Sequence, residues 1–355
     1  MQPDSLAEIF RRLIRTTGPI SLTQYMGESN ARYYAGRDPL GSAGDFVTAP
    51  EISQMFGELL GLWLADIWHR AGRPEGAIYV EPGPGRGTLA KDALRAMRSA
   101  GLEPRVHLVE GSPALRTVQR AVLGEGVTFH DDLSTIPDDG PLLLLANEFL
   151  DALPVRQLVK TAQGWHEVMV GLDGNAFAPV AGPRPMDAAV PEHWRDAEEG
   201  TLLETCPGAA SAVREIAQRL ANQGGAALLV DYGHTGPRTG STLQAVRAHA
   251  KVDPFATPGE CDLTAHVDFH QMRMAAQDCG ARWLGTAGQG AFLVSMGIDQ
   301  RMDMLAQSAP QKAGELALAR DRLVDARQMG TLFKVMGLAG PDWPDGAALA
   351  LPHAG

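Results

Sequence analysis

The chain has 355 residues, 45% of them hydrophobic and 21% charged, a globular composition with enough apolar content for a large core. Its net charge of −11 argues against nonspecific nucleic-acid binding, which needs positive charge against phosphates. Three scattered cysteines, Cys206, Cys261 and Cys279, form no C-x-x-C pair, so neither a zinc cluster nor a disulfide framework is expected, and a reducing compartment is. At the N-terminus, Ser5 and Glu8 make a capping box ahead of a helical stripe of Leu6, Ile9, Phe10, Leu13 and Ile14, ended by Gly18-Pro19. This segment reads as neither a secretory signal nor a transit peptide, and no apolar run reaches the roughly 18 residues of a membrane span. A cytoplasmic protein of bacterial type is the expectation.

Residues Gly44-Asp45-Phe46-Val47-Thr48 read as a loop with one exposed aromatic. A single helix is predicted from Pro50 to Ala71, with Glu51, Gln54 and Glu58 on its polar side and Gly72 as its stop. Ile78 to Val80 then reads as a buried strand ending in Glu81. Gly83, Gly85 and Gly87 follow, and from Thr88 the pattern turns helical through Leu89, Ala93, Leu94 and Met97. Strand, glycine turn and helix open a nucleotide-binding α/β unit. Glycines allow positive φ and close approach of a ligand, and the helix start offers free N–H groups. The spacing is acid-x-G-x-G-x-G. A dinucleotide fingerprint would need glycine where Thr88 stands, which speaks against a nicotinamide-dependent oxidoreductase.

Regular alternation continues. Arg105 to Val109 is a strand ending in Glu110, where a doubly wound sheet places the acid that meets ribose hydroxyls. A helix runs from Ser112-Pro113 to Val122, and a third strand from Gly126 to Phe129 leads to Asp131 and Asp132. Pro141 to Ala146 reads as the central strand, buried on both faces, and it ends in Asn147-Glu148-Phe149-Leu150-Asp151. Glu148 and Asp151 could grip one cationic group together, and Asp151 could equally be a helix N-cap. A hairpin spans Val155 to Val170, residues 171–200 look like a surface insertion, and a helix runs from Cys206-Pro207 through Ala221. Gly225 to Val230 is another buried strand. Asp262, Thr264, His266 and Asp268 alternate, as on one face of an extended strand, and we read no metal site in them. Helices over 268–279 and 311–327 and strands around 283–286 and 332–336 complete the chain.

The acid-x-G-x-G-x-G stretch resembles the first motif of class I S-adenosylmethionine methyltransferases. Five stretches together are more specific: GDFVTAPEISQMFGE (Gly44 to Glu58), VEPGPGRGTL (Val80 to Leu89), NEFLDALPV (Asn147 to Val155), GECDLTAHVDF (Gly259 to Phe269) and MGTLFKV (Met329 to Val335). They resemble the MidA-type S-adenosylmethionine-dependent methyltransferases, from Gly18 to Leu338. That family includes a mitochondrial arginine methyltransferase that acts in assembly of respiratory complex I. The resemblance implies a Rossmann-like, doubly wound class I core over 76–338, with insertions at about 155–205 and 235–268. An N-terminal helical region and substrate loop over 1–75 and a tail over 339–355 would flank it.

For the cofactor, the resemblance implies Glu81, Gly83, Pro84, Gly85, Gly87 and Thr88 around the methionine part, Asp131 or Asp132 at the adenine amino group, and Asn147 near the methyl group. The resemblance implies a protein arginine as acceptor, and the residues after the fourth strand, Glu148 and Asp151 with Asn147, are read as the catalytic candidates. Asp45, Phe46, Thr48, Glu51, Gln54 and His266 are read as lining the substrate. No copy of the two-glutamate hairpin of better-known arginine methyltransferases is present. A small-molecule acceptor, or a cofactor-binding assembly scaffold without turnover, are the alternatives. Neither a nucleic acid nor a membrane span is expected, and the oligomeric state is open.

Overall fold

The computed structural model describes residues 5–36, 48–247 and 250–349, with side chains through residue 34 in the first stretch. The chain divides into two compact units, each assembled from separate stretches of sequence. The first comprises Met1–Pro39, Asp151–Ala209 and Gly236–His266; the second comprises Leu40–Leu150, Ala210–Thr235 and Val267–Gly355.

The second unit is built on strands β1 (Ile78–Pro82), β2 (Arg105–Val109), β3 (Val127–His130), β4 (Leu142–Asn147), β5 (Gly225–His234), β6 (Arg282–Gly288) and β7 (Phe333–Ala339). Their order is β3-β2-β1-β4-β5-β7-β6. The first five pair in parallel, and β7 runs antiparallel to both β5 and β6. This is the Rossmann-like doubly wound α/β sheet, with its order reversing between β1 and β4. A parallel sheet is covered on both faces, so its central strands carry uninterrupted apolar runs. Leu142, Leu143, Leu144 and Leu145 are accordingly all fully buried. The carboxyl ends of β1 to β5 share one edge, which gathers Glu81, Glu110, Asp131, Asn147 and Asp231 from distant parts of the sequence.

Three helices of this unit matter for the site: α1 (Gln54–Arg70), α2 (Thr88–Ser99) and α3 (Pro113–Leu123). The helix expected from Pro50 to Ala71 is in fact two. Ala49–Ile52 forms one turn, and Ser53 is then extended, with φ −160° and ψ 139°. Its hydroxyl accepts the Met55 N–H at 3.2 Å, so serine caps α1 instead of continuing a helix. Gly61 lets α1 approach α2 closely, since a Cβ there would lie 2.4 Å from the Ala93 carbonyl oxygen. Glu58 is buried in α1; burial pushes its carboxyl up, and hydrogen bonds from Arg301 and Arg95 outweigh this and hold it below the usual range.

The first unit contains a five-stranded antiparallel sheet, with Gly164–Asp173 paired to Ile20–Ser21, Arg156–Thr161 and Ala176–Pro185, and Leu202–Thr205 beyond Arg156–Thr161. A three-stranded sheet holds Gln244–Arg247 between Ala250–Val252 and Asp262–Thr264. The N-terminal helix, Leu6–Thr17, starts with the expected capping box. Phe10, Tyr25 and Phe177 stack in the core, with centroids 5.2 to 6.3 Å apart.

Two expectations are corrected in this unit. Residues 171–200 are not only a surface insertion, because Ala176–Pro185 is a ten-residue strand that turns back at Gly174, where φ is 60°. It pairs with one neighbour only, and an edge position tolerates Pro179, Pro183 and Pro185. The alternating Asp262 to Asp268 segment is not one strand either. Asp262–Thr264 is buried in the three-stranded sheet, whereas Val267–Asp268 pairs with β5 in the second unit. Asp268 then caps helix Phe269–Asp278 by accepting the His270 and Gln271 N–H groups at 3.0 Å.

Candidate active site at the carboxyl edge of the sheet

The glycine loop connects β1 to α2. Gly83, Gly85 and Gly87 all have positive φ, at 63°, 53° and 83°. This region is costly for residues with a Cβ, so the three positions call for glycine on backbone grounds alone. The Gly83 N–H donates to the Val109 carbonyl at 3.0 Å, and the Gly87 N–H closes a turn onto Pro84 at 2.8 Å. Thr88 starts α2, and its hydroxyl donates to Glu51 at 2.5 Å. Glu81, near the end of β1, is buried and takes the hydroxyl of Tyr79. Burial raises its carboxyl to about 8, although the tyrosine hydrogen bond works in the opposite direction.

Glu110 follows β2 and is half-buried. Its two carboxylate oxygens accept from different donors, the Ser112 N–H at 2.7 Å and the Gln119 side-chain amide at 3.1 Å. The same Gln119 amide donates to the Gly85 carbonyl at 2.6 Å. Beyond β3 the two aspartates part company. Asp132 accepts the Ser134 N–H at 2.8 Å and caps the turn over residues 133–135, and these hydrogen bonds hold its carboxyl below the usual range. Asp131 is exposed and pairs with Arg116 at 2.5 Å.

At the end of β4, Asn147 donates to the Glu148 carboxylate at 3.2 Å, and its own Oδ1 is buried with no hydrogen-bond partner among the described residues. Glu148 has φ 49°, one of three non-glycine residues with positive φ among those described. Its N–H donates to the Val230 carbonyl at 2.9 Å, so β5 pins a backbone that costs about 1–2 kcal/mol to hold. Its Oε1 accepts the Ala49 N–H at 3.3 Å, at the start of the helical turn that carries Glu51. The buried Asp231, in β5, accepts the Leu150 and Tyr232 N–H groups, each at 3.0 Å, and so braces the loop after Glu148.

The remaining candidates scatter. Thr48 is the N-cap of Ala49–Ile52 and makes no side-chain cap bond, and Gln54 donates to Glu58 at 3.1 Å. Asp45 and Phe46 lie outside the described residues. Asp151 and His266 belong to the first unit. Asp151 is buried in a turn with its carbonyl accepting the Ala265 N–H at 3.0 Å, and no helix begins there, so the N-cap reading is withdrawn. The His266 N–H donates to the Thr242 hydroxyl at 2.8 Å. Residue-type reasoning missed Gln119, Asp231 and Tyr79. Asp231 had a readable signal, a strand-end acid after GAALLV, and so did Tyr79, two residues before Glu81 on the same strand face; Gln119 had none.

The edge therefore offers a glycine cradle, a hydrogen-bonded acid beyond β2 and an acidic, polar end on β4, which is the layout of a nucleotide-linked group-transfer site. The chain belongs to the family described as "Putative S-adenosyl-L-methionine-dependent methyltransferase", whose model matches residues 59–287. It is an enzyme of the class I methyltransferase fold that uses S-adenosylmethionine. It is similar to the mouse protein named "Protein arginine methyltransferase NDUFAF7, mitochondrial", at 39% identity over 92% of this chain and 82% of that one. The human protein of the same name is 37% identical over 92% of this chain and 81% of its own. The crystal structure of a Burkholderia thailandensis protein bound to S-adenosyl-homocysteine superposes with a TM-score of 0.84 at 32% identity, covering 97% of this chain and 93% of that one. These findings set aside the oxidoreductase alternative. They also overturn the cytoplasmic expectation, since the curated relatives are named mitochondrial proteins. Among the described residues no helix is long and apolar enough to cross a membrane.

Proposed function

We propose that this chain is a protein arginine N-methyltransferase acting on a subunit of respiratory complex I or its bacterial equivalent. The observation that carries the reading is the end of β4, where the Glu148 carboxylate stands on left-handed backbone beside the buried Asn147 Oδ1, which has no hydrogen-bond partner among the described residues. An apolar strand gains nothing from such groups, whereas a cationic acceptor would meet the charge of Glu148 and could donate to Asn147 Oδ1. The relatives' printed name supports arginine as that acceptor.

The residues fit S-adenosylmethionine. The three positive-φ glycines allow a close backbone approach, and a Cβ on Gly83 would lie 3.3 Å from the Phe149 ring. In this reading Glu81, Gly83, Pro84, Gly85, Gly87 and Thr88 hold the amino-acid part, Glu110 the ribose hydroxyls and Asn147 the reactive end. Asp131, paired with Arg116, or Asp132, engaged as a cap, faces the adenine. Bound there, the cofactor supplies an electrophilic methyl group. The task left to the chain is to hold a guanidinium nitrogen in line and accept its proton. A guanidinium is a poor nucleophile because its lone pairs are delocalised and its pKa exceeds about 12. Glu148 draws the positive charge toward the nitrogens that do not react and takes the proton released by the one that does. Asp151 is the second acid of the proposal, and Glu51 and His266 are secondary.

Purified protein, methyl-labelled S-adenosylmethionine and a lysate lacking the endogenous enzyme test this. Label should enter one protein band, and acid hydrolysis should release symmetric dimethylarginine. Label confined to the low-mass fraction would replace the protein acceptor with a small molecule.

A further inference from the structure

Gln119 projects from the middle of α3, is fully buried, and touches both the glycine loop and the strand-end acid of the adjacent β2. Its amide nitrogen has two hydrogens, and both are used: one on the Gly85 carbonyl at 2.6 Å and one on Glu110 Oε2 at 3.1 Å. The carbonyl can only accept, and a carboxylate at neutral pH does the same, so the amide can face only this way. That orientation leaves Gln119 Oε1 buried with no partner among the described residues. An unsatisfied buried acceptor costs stability, so a residue kept for packing alone would sooner be apolar. Glu110 gains from the arrangement. A carboxylate has about four acceptor sites, and one on each oxygen is taken, by the Ser112 N–H and by Gln119. The carboxylate plane is thereby fixed, with an acceptor site left on each oxygen, as a vicinal diol requires.

We propose that Gln119 is a positioning residue that holds Glu110 at a set distance from the glycine loop and so determines the preference for a cofactor with an intact ribose diol. The inference rests on the assignment of Glu110 to the ribose. Two ligands read it out, S-adenosylhomocysteine and its 2′-deoxy analogue, titrated by calorimetry into wild-type protein, Gln119→Leu, Gln119→Met and Glu110→Ala. Wild-type protein should prefer S-adenosylhomocysteine by about tenfold, the equivalent of one hydrogen bond. Both Gln119 variants should lose that preference by weakening S-adenosylhomocysteine while leaving the 2′-deoxy analogue within about twofold. Their melting temperatures should stay near wild type, because removal of the unpaired Oε1 offsets the loss of the two N–H donors. A preference that survives in both variants overturns the proposal, and so does an equal loss for both ligands, the mark of a merely structural role. If instead Glu110→Ala binds both ligands as wild type does, the ribose assignment beneath the proposal falls.

Discussion

Glu81 lies near the end of β1, and Glu110 follows β2, its parallel neighbour, with the two strands in register from Ile78–Arg105 to Pro82–Val109. From sequence they look alike, as acids closing apolar strands. Glu81 is sealed from solvent with a tyrosine hydroxyl, and burial raises its carboxyl to about 8. Glu110 is half-exposed and braced by two N–H donors. The Tyr79 hydroxyl can pair with either form of a carboxyl, and the Ser112 and Gln119 N–H groups fix the orientation of the Glu110 carboxyl. The difference teaches that a strand-end acid takes its character from what the neighbouring elements present to it. In the function proposed above, Glu81 would carry its charge only with a cationic partner, and Glu110 would accept hydroxyls.

Removing the loop that joins these two environments should have the largest effect. Gly85→Val forces a β-branched residue to φ 53°, which costs several kcal/mol in the productive loop conformation. A loss of S-adenosylhomocysteine affinity of at least about a thousandfold, ~4 kcal/mol, should follow in a protein that still melts cooperatively. Unchanged affinity in calorimetry would remove the loop from the site.

Glu81→Gln tests the buried side of the comparison. The folded-state carboxyl, at about 8, lies above its ordinary 4.5, so the folded state holds a proton the unfolded chain has lost. Stability of the cofactor-free protein should therefore be fully present below pH 4.5 and fall as pH rises toward 8. At pH 7 the loss is on the order of 3 kcal/mol, at about 1.4 kcal/mol per pH unit. Glu81→Gln should recover it and flatten the slope, while binding cofactor more weakly. Urea melts at several pH values between 5 and 8 check this, and an unchanged slope would contradict the buried, protonated state.

Glu148 adds a third strand-end acid, held by strain rather than burial. Glu148→Gln keeps an oxygen for the Ala49 N–H and removes the charge, so fold and S-adenosylhomocysteine affinity should stay near wild type. Turnover should drop about a hundredfold, the scale of one preorganised electrostatic contact. Full activity would exclude Glu148 as clamp or base.

Glu110→Ala should have the smallest effect, weakening S-adenosylhomocysteine by about 1.5–3 kcal/mol. An effect below about 0.5 kcal/mol would mean that the two acids do not share the work proposed for them.

The doubly wound core was legible because parallel strands buried on both faces need apolar runs, and Ile78 to Val80 and Pro141 to Ala146 supply them. The glycine loop was legible because three alternating left-handed positions leave few other residues to choose from. Local capping was only half legible. Ser5 announced its helix, whereas Ser53 breaks one that periodicity alone would have continued. Contacts between residues distant in sequence were not legible at all. Nothing in the α3 sequence marks Gln119 as the link between Gly85 and Glu110. The alternation from Asp262 to Asp268 promised one polar strand, but it was divided between two sheets. Sequence by itself determined the backbone devices, because glycine, proline and apolar periodicity act over a few residues. Tertiary structure decided the burial of Glu81, the Gln119 brace on Glu110 and the pinning of Glu148 by β5, because those depend on distant groups that exclude water or form hydrogen bonds.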